Sequence, residues 1–362
     1  MPFSLTKSLS DFSFRNTSLV CIEVVFLTRS NRYHVLMEKI DTKECCTVES
    51  ANTGCGDEET AICGSASPEL ELPRERRRKK PWESTDLEAR QNADVARPTV
   101  DRIPRRWDRF VRLVGEDAAK KLLGSRVTVF GLGGVGSYAV ESLARSAVGH
   151  LTIVDFDDVC VTNVNRQMQA FPSTVGQSKA ELLAQRVKAI NPDAVVDSVQ
   201  AFYDPETSEA LLTPRPDFVI DAIDNVTAKL HLLAKCLKLG IPIVSVAGAG
   251  AKIDPTMVRV TDLSKTKVDP LARVVRKELS RRGFDTTKHV GLPVVYSEEK
   301  AIHPEAPSWD AEGFKCICPH AEDSPHECEK RSMIYGTASF VTASFGNAAA
   351  SVVVRGICDS NS

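Results

Sequence analysis

The sequence predicts an α/β protein built on a doubly wound, mostly parallel sheet. Two observations carry this. From residue 105 onward, short apolar runs rich in β-branched residues alternate with segments of helical character. Strands spaced in that way become parallel neighbours joined by helical crossovers. The second observation is a glycine loop, GLGGVG at 131–136, between the first of these runs and the helix that follows it. Gly131, Gly133 and Gly136 have the spacing of a dinucleotide-binding turn, a Rossmann-like feature.

The elements read in order as follows. Asp108–Leu123 is helical, with Gly124 as its stop. Val127–Phe130 is a strand, Ser137–Val148 a helix, and Leu151–Val154 a strand. Ser178–Ile190 is a helix ended by Asn191-Pro192. Val195–Val199 and Phe218–Ala222 are strands, with a short helix at Pro205–Leu212 between them. Val226–Leu239 is a helix stopped by Gly240, and Ile243–Val246 is a strand. Beyond Gly250 the pattern changes. Met257–Thr261 and Pro293–Ser297 read as strands, Pro270–Arg282 as a basic helix, 300–330 as loop, and Thr342–Arg355 as a small-residue helix suited to close packing.

Residues 1–104 lack sustained periodicity. Their stretch Glu44–Ser67 is rich in cysteine, threonine, glycine and acids, and Arg74–Lys80 is a charge run before Pro81. Such composition predicts a disordered extension, with the basic run a solvated linker more readily than an RNA contact. Residues 105–260 then form the nucleotide-binding domain, and 261–362 an α/β C-terminal extension that completes the same domain. The chain's 362 residues carry a formal charge of -2, so any basic surface is local. Eleven cysteines without framework spacing read as reduced thiols, as expected of a cytoplasmic protein. Ser18–Leu27 is apolar but short and contains Glu23, whereas a membrane span needs about 20 apolar residues. No span is expected.

Glycine side chains let the backbone of 131–136 approach a phosphate, and the helix after it supplies N–H groups and a positive dipole end. Asp155 follows the next strand, where a carboxylate holds a ribose hydroxyl. That much also suits an NAD dehydrogenase. The turn Asn163-Val164-Asn165-Arg166-Gln167 is not required for NAD. Arg166 places a cation near the phosphate loop, and Lys179 opens the next helix as a point charge. Asp224 follows strand FVIDAI at the carboxyl edge of the sheet, where a carboxylate can hold Mg2+ against phosphate oxygens. Each alone is more often a surface ion-pair residue. Together they describe ATP with Mg2+, poised for attack at the α-phosphate.

These segments (GxGGxG including Gly134, the DxDxVxxxNxNRQ run from Asp155 and Asp157, VGxxKAE and DAIDN) resemble the ubiquitin-activating-enzyme-like superfamily, which includes the ThiF and MoeB adenylyltransferases. The resemblance makes 105–260 an ATP-binding adenylation domain. It implies that Asp155 binds the ATP ribose and that Asp157 shares the nucleotide site. It further implies that Asn163, Arg166 and Lys179 contact phosphates, Gln167 supports their turn, and Asp224 holds the metal. Arg106-Trp107-Asp108-Arg109 loosely resembles the family's N-terminal arginine motif, which implies a homodimer in which Arg109 enters the partner's site. Within the superfamily, DDVCVTNVNRQ (157–167), AGAGAKIDPT (247–256), VTDLSKTKVDPLARVVRKEL (260–279), VVYSEE (294–299) and GTASFVTASFG (336–346) resemble the tRNA threonylcarbamoyladenosine dehydratases. That family uses ATP to activate the carboxylate of a threonylcarbamoyl group on an adenosine beside the tRNA anticodon, after which the group closes into a ring. The alternative activity is adenylation of the C-terminus of a ubiquitin-like sulfur carrier, and a sulfur- or electron-transfer partner remains open.

Ring closure is intramolecular and needs orientation, not a protein nucleophile. Cys160 and Cys236 have no evident activating neighbour and read as small core hydrophobes. Lys265, Lys267, Arg273, Arg276 and Lys277 form a basic segment. Helical spacing puts the last three on one face, where a tRNA substrate would make phosphate contacts. Cys316, Cys318, His320, His326 and Cys328 offer five ligand atoms for zinc, but not at the CxxC spacing of common zinc sites, so a metal-free loop is the simpler reading.

Overall fold

The computed structural model describes residues 102–308 and 334–360. The extension at 1–101 and the Cys316–Cys328 constellation lie outside the described residues. Seven strands form one sheet: β1 (Arg126–Phe130), β2 (His150–Val154), β3 (Val195–Val199), β4 (Phe218–Asp221), β5 (Ile243–Val246), β6 (Val258–Asp262) and β7 (Pro293–Ser297). Their order is β3-β2-β1-β4-β5-β7-β6. All neighbours are parallel except β6 and β7. This is the doubly wound α/β sheet expected from the alternation, with an antiparallel edge strand supplied by the C-terminal segment.

The helices are α1 (Asp108–Val114), α2 (Glu116–Leu123), α3 (Gly136–Arg145), α4 (Lys179–Ile190), α5 (Ser208–Leu211), α6 (Val226–Leu239), α7 (Pro270–Arg281) and α8 (Ser339–Asp359). Strands β1, β2, β4, β5 and β7 are buried along nearly their whole length because both faces of the sheet are covered there, whereas the edge strands β3 and β6 are partly exposed. Val127, Val129, Leu151, Ile153 and Ile220 pack beneath α3, α4 and α8. Phe130, Val154, Val219 and Ile243 pack beneath α6 and α7 on the other face. Glu141 on α3 ties the first layer together by pairing with Arg145 at 2.7 Å and with Arg186 of α4 at 2.9 Å.

Three boundaries differ from the sequence reading. The expected helix at Asp108–Leu123 is broken by Gly115, whose φ of +88° stops α1 and redirects the chain into α2. The helix expected to reach Val148 ends at Arg145, because Ala147 adopts φ +62° and Gly149 lies against the Leu123 carbonyl. The last helix runs from Ser339 to Asp359, longer than Thr342–Arg355. It is long and apolar enough by composition to cross a membrane. Here Val341, Phe345, Ala349, Val353 and Ile357 are buried in the core. Gly346 lets α8 approach the α3 backbone, since a Cβ there would lie 2.9 Å from Ala139 N.

Candidate active site

The strand register sets the site. Phe130 at the end of β1 lies opposite both Val154 of β2 and Asp221 of β4. The loops that begin at Gly131, Asp155 and Ala222 therefore emerge level with one another, at the carboxyl edge of the sheet. The crossovers from β1 and β4 lead to opposite faces, so the loops after them meet at the switch point where ligands of such sheets bind. A Cβ on Gly131 would lie 2.5 Å from the Ala222 carbonyl, and one on Gly136 would overlap the Gly131 carbonyl. Gly131 also has φ +86°. Neither position tolerates a side chain, so glycine is what lets this turn close on itself and against the loop after β4 at the start of α3.

Asp155 is buried and locked to this loop. Its Oδ2 accepts from the Leu132 N–H at 2.5 Å and its Oδ1 from the Asp157 N–H at 2.8 Å. Burial pushes its carboxyl above the usual aspartate range; Lys179 opposes the shift and the charge of Asp157 adds to it. The Lys179 ammonium donates to Asp157 Oδ2 at 2.8 Å and is itself buried. Burial works against that charge. Asp155, Asp157 and Asp224 together outweigh it and hold Lys179 above the ordinary lysine range. Asp224 is exposed on the β4–α6 loop. One lysine thus feels three carboxylates drawn from two loops. It is placed by a backbone bond from its own N–H to the Asp157 carbonyl and by the Asp158–Ser178 bridge that pins the start of α4.

The turn at 161–167 sits against the glycine loop. Asn163 is buried, and its Oδ1 accepts from the Cys160 N–H at 3.0 Å, so its amide nitrogen is the end left to donate. Arg166 donates from Nη1 to the Thr162 carbonyl at 2.8 Å and to Asn165 Oδ1 at 3.0 Å. Its stem lies over Gly134, where a Cβ would be 3.2 Å from Arg166 Cγ. Gln167 is buried beside Gly133, its amide nitrogen 3.9 Å from the position of a Cβ there. Gln169 donates to the Leu132 carbonyl at 2.8 Å and to Gln167 Oε1 at 3.4 Å. The sequence reading missed this brace, because a lone glutamine two residues beyond the motif carries no signal of its own. It also missed Asp221, Lys229 and Ser245, a fully buried polar group beneath the loops. Asp221 and Ser245 fall inside apolar strands and Lys229 inside a helix, so periodicity alone assigns them no partner.

The structure brings Gly131, Gly133, Gly134, Gly136, Asp155, Asp157, Asn163, Arg166, Gln167, Lys179 and Asp224 to one edge. It does not bring Arg109, which is exposed on α1 and, among the described residues, hydrogen-bonds none of them. Neighbouring Arg106 pairs instead with Asp193 and Asn191.

These elements, in this order, match the family model described as the ThiF family over residues 107–361. The chain belongs to the ThiF family. It is 39% identical over 254 residues to the tRNA threonylcarbamoyladenosine dehydratase of Escherichia coli, covering 69% of this chain and 92% of that protein. Identity to the protein of the same name from Bacillus subtilis is 46% over 189 residues, covering 52% of this chain and 73% of the other. Solved structures of the E. coli dehydratase, TcdA, superpose with a TM-score of 0.62 for its complex with AMP and 0.61 for its complex with ATP. Both are 36% identical and cover 72% of this chain, with 97% and 96% of the respective solved chains.

Two further features of this ThiF-family chain bear on its chemistry. Cys236 is buried, and burial pushes its thiol up to about 12, the reverse of an activated nucleophile. Cys160 is buried as well. Both fit the reading as core residues. The basic helix holds Arg273, Lys277 and Arg276 along one basin, as the spacing predicts, but Arg276 is half-buried and already engaged. Its Nη1 donates to the Leu263 carbonyl at 3.2 Å, the Thr266 carbonyl at 2.9 Å and Thr266 Oγ1 at 2.8 Å, fastening α7 to the loop before it. The exposed row is Arg273, Lys277 and Arg281, at i, i+4 and i+8, with Arg281 paired to Glu278 at 2.5 Å. It borders an open basin of about 520 Å³ that Arg276, Ser264, Thr286 and Thr287 also line. Asp269 caps α7 through a 2.9 Å bond from the Ala272 N–H, and its other oxygen lies 3.7 Å from where a Cβ of Gly248 would be. The row therefore starts at the carboxyl edge of β5 and leads away from it.

Proposed function

We propose that this chain uses ATP to adenylate the carboxylate of threonylcarbamoyladenosine beside the tRNA anticodon and so drives its dehydration to the cyclic form. The observation that carries the reading is the Lys179 centre. One buried cation faces three carboxylates at the glycine loop, in a chain that spans 92% of a tRNA threonylcarbamoyladenosine dehydratase. A carboxylate is a poor electrophile, and ATP supplies the remedy by making AMP the leaving group. A substrate oxygen attacks the α-phosphorus and pyrophosphate departs. An amide nitrogen or oxygen of the same group then attacks the activated carbonyl carbon and AMP departs.

The residues divide this work. Asp155 holds the ribose hydroxyls, and Asp157 holds Lys179. Arg166, once its guanidinium turns from the Thr162 carbonyl to the phosphate, and Lys179 oppose the charge that develops there. Asn163 donates its amide nitrogen to a phosphate oxygen, while Gln167 supports the turn. Asp224 is the residue that would hold Mg2+. Among the described residues no three metal-binding side chains cluster, and one carboxylate completed by phosphate oxygens is the pattern that magnesium accepts. The α7 basin takes tRNA phosphates through Arg273, Lys277 and Arg281, with Lys265 and Lys267 alongside. A homodimer lends Arg109 to the partner's site, and the enzyme works on tRNA in the cytoplasm.

Exchange of labelled pyrophosphate into ATP tests the first half-reaction. Exchange that depends on threonylcarbamoyladenosine-bearing tRNA is expected. Exchange driven by a Gly-Gly-ended carrier protein, or tight binding of NAD without ATP binding, contradicts the reading.

A further inference from the structure

Beneath the candidate site lies a charged pair that none of the steps above uses. Lys229 and Asp221 are both fully buried, with Ser245 beside them. The Lys229 ammonium donates to Asp221 Oδ2 at 2.6 Å, to the Val246 carbonyl at 3.0 Å and to Ser245 Oγ at 3.5 Å. Ser245 Oγ donates to the same Asp221 oxygen at 2.6 Å, and Asp221 Oδ1 accepts from the Ile223 N–H at 3.2 Å. Every polar atom is engaged.

A buried ion pair is a weak stabiliser, because desolvating two charges consumes most of their attraction and apolar residues of similar volume do as well or better. Its placement points to another use. Asp221 is the last residue of β4, and Val246 the last of β5. The loops that begin at these two residues are the one bearing Asp224 and the AGAGAK loop. One ammonium therefore joins the ends of adjacent strands at the edge where the nucleotide and the acceptor must meet. It does so from α6, the helix that the Asp224 loop runs into, so strand end, loop and helix form a closed frame. The bond from the Ile223 N–H to Asp221 then sets the backbone one residue before Asp224.

We infer that Lys229 and Asp221 are positioning residues: the pair clamps the ends of β4 and β5 and so fixes where Asp224 presents its carboxylate. This rests on the reading of Asp224 as the magnesium-holding residue. The test is the double variant Lys229→Met/Asp221→Asn, which removes both buried charges while keeping volume and an acceptor for the Ile223 N–H. Its fold is checked by circular dichroism and melting. A roughly tenfold or greater rise in the Mg2+ concentration needed for half-maximal pyrophosphate exchange is expected, with tRNA affinity unchanged. A merely structural pair predicts that a folded double variant keeps the wild-type Mg2+ dependence, and that result overturns the inference. Ser245→Ala is the milder variant if the double one does not fold, with a rise of about threefold expected and none overturning it. Hydrogen exchange on the nucleotide-free protein separates the two claims. Faster exchange at both 222–225 and 247–251, with β2 unchanged, supports the clamp even if Asp224→Asn leaves the Mg2+ requirement untouched and so removes the metal reading. Unchanged exchange at both loops refutes the clamp.

Discussion

Lys179 concentrates the electrostatics of the site. It is buried, yet held charged by Asp155, Asp157 and Asp224, so in the proposed mechanism it would meet a phosphate without having to be dehydrated at that moment. Lys179→Ala and Arg166→Ala should each lower turnover by on the order of 10²-fold or more while circular dichroism stays native. Near-normal cyclisation by either folded variant contradicts its role. Asp155 gives a pH prediction. Its carboxyl is raised above the free value, so it takes up a proton at a higher pH than in the unfolded chain. Ionising it therefore costs the fold some stability, which returns as pH falls through the raised value. ATP affinity moves the opposite way and is lost over that same fall. Subtracting the profile of Asp155→Asn from that of wild type removes the titration of ATP itself. The remaining acid limb should lie above the ordinary aspartate value of about 3.9, and a limb at that value contradicts the geometry. Most residues at this scale were legible because strand, glycine turn, acid and cation follow one another locally. Asp221, Lys229 and Gln169 were not, since their partners lie on other strands or loops and pairing across a sheet leaves no mark on spacing.

Among the elements, α7 shows where helical periodicity succeeds and stops. It located the helix and its basic character, but not which cation the preceding loop would capture. Arg276 is tied to the Leu263 and Thr266 carbonyls, while Arg273, Lys277 and Arg281, the last paired with Glu278, form the outward row. Neutralising those three should weaken tRNA binding and flatten its salt dependence by about 0.7 to 0.9 in log–log slope for each phosphate no longer neutralised. ATP affinity should not change. Equal affinities and slopes for wild type and triple variant would move the tRNA surface elsewhere. The seat of α8 gives a second prediction at this scale. A side chain at Gly346 meets the α3 backbone and Tyr138, so Gly346→Ala should destabilise by roughly 1–3 kcal/mol in denaturant melts, as overpacking does. An unchanged midpoint contradicts the packing described. The break at Gly115 was not legible, because a glycine inside a helical pattern reads equally well as a tolerated residue or a stop.

For the whole molecule, alternation of elements was enough to specify the doubly wound sheet. The place of the C-terminal segment was not, because β7 inserts beside β5 and carries β6 as an antiparallel edge, pairings that no local pattern encodes. If Arg109 serves the partner's site, Arg109→Ala and Lys179→Ala chains are each inactive alone. Mixed with subunit exchange, they should recover about a quarter of wild-type sites, since half the dimers are mixed and each holds one intact site. No recovery from subunits shown to exchange would place Arg109 outside catalysis. The central claim is that ATP consumption by this chain cyclises a modified adenosine in tRNA. The most direct measurement incubates threonylcarbamoyladenosine-bearing tRNA with the protein and ATP, then quantifies nucleosides by mass spectrometry alongside AMP. The account predicts loss of the open form, appearance of a product lighter by one water, and one AMP released per ring closed. Unchanged nucleosides with AMP transferred to a Gly-Gly-ended carrier protein would contradict it.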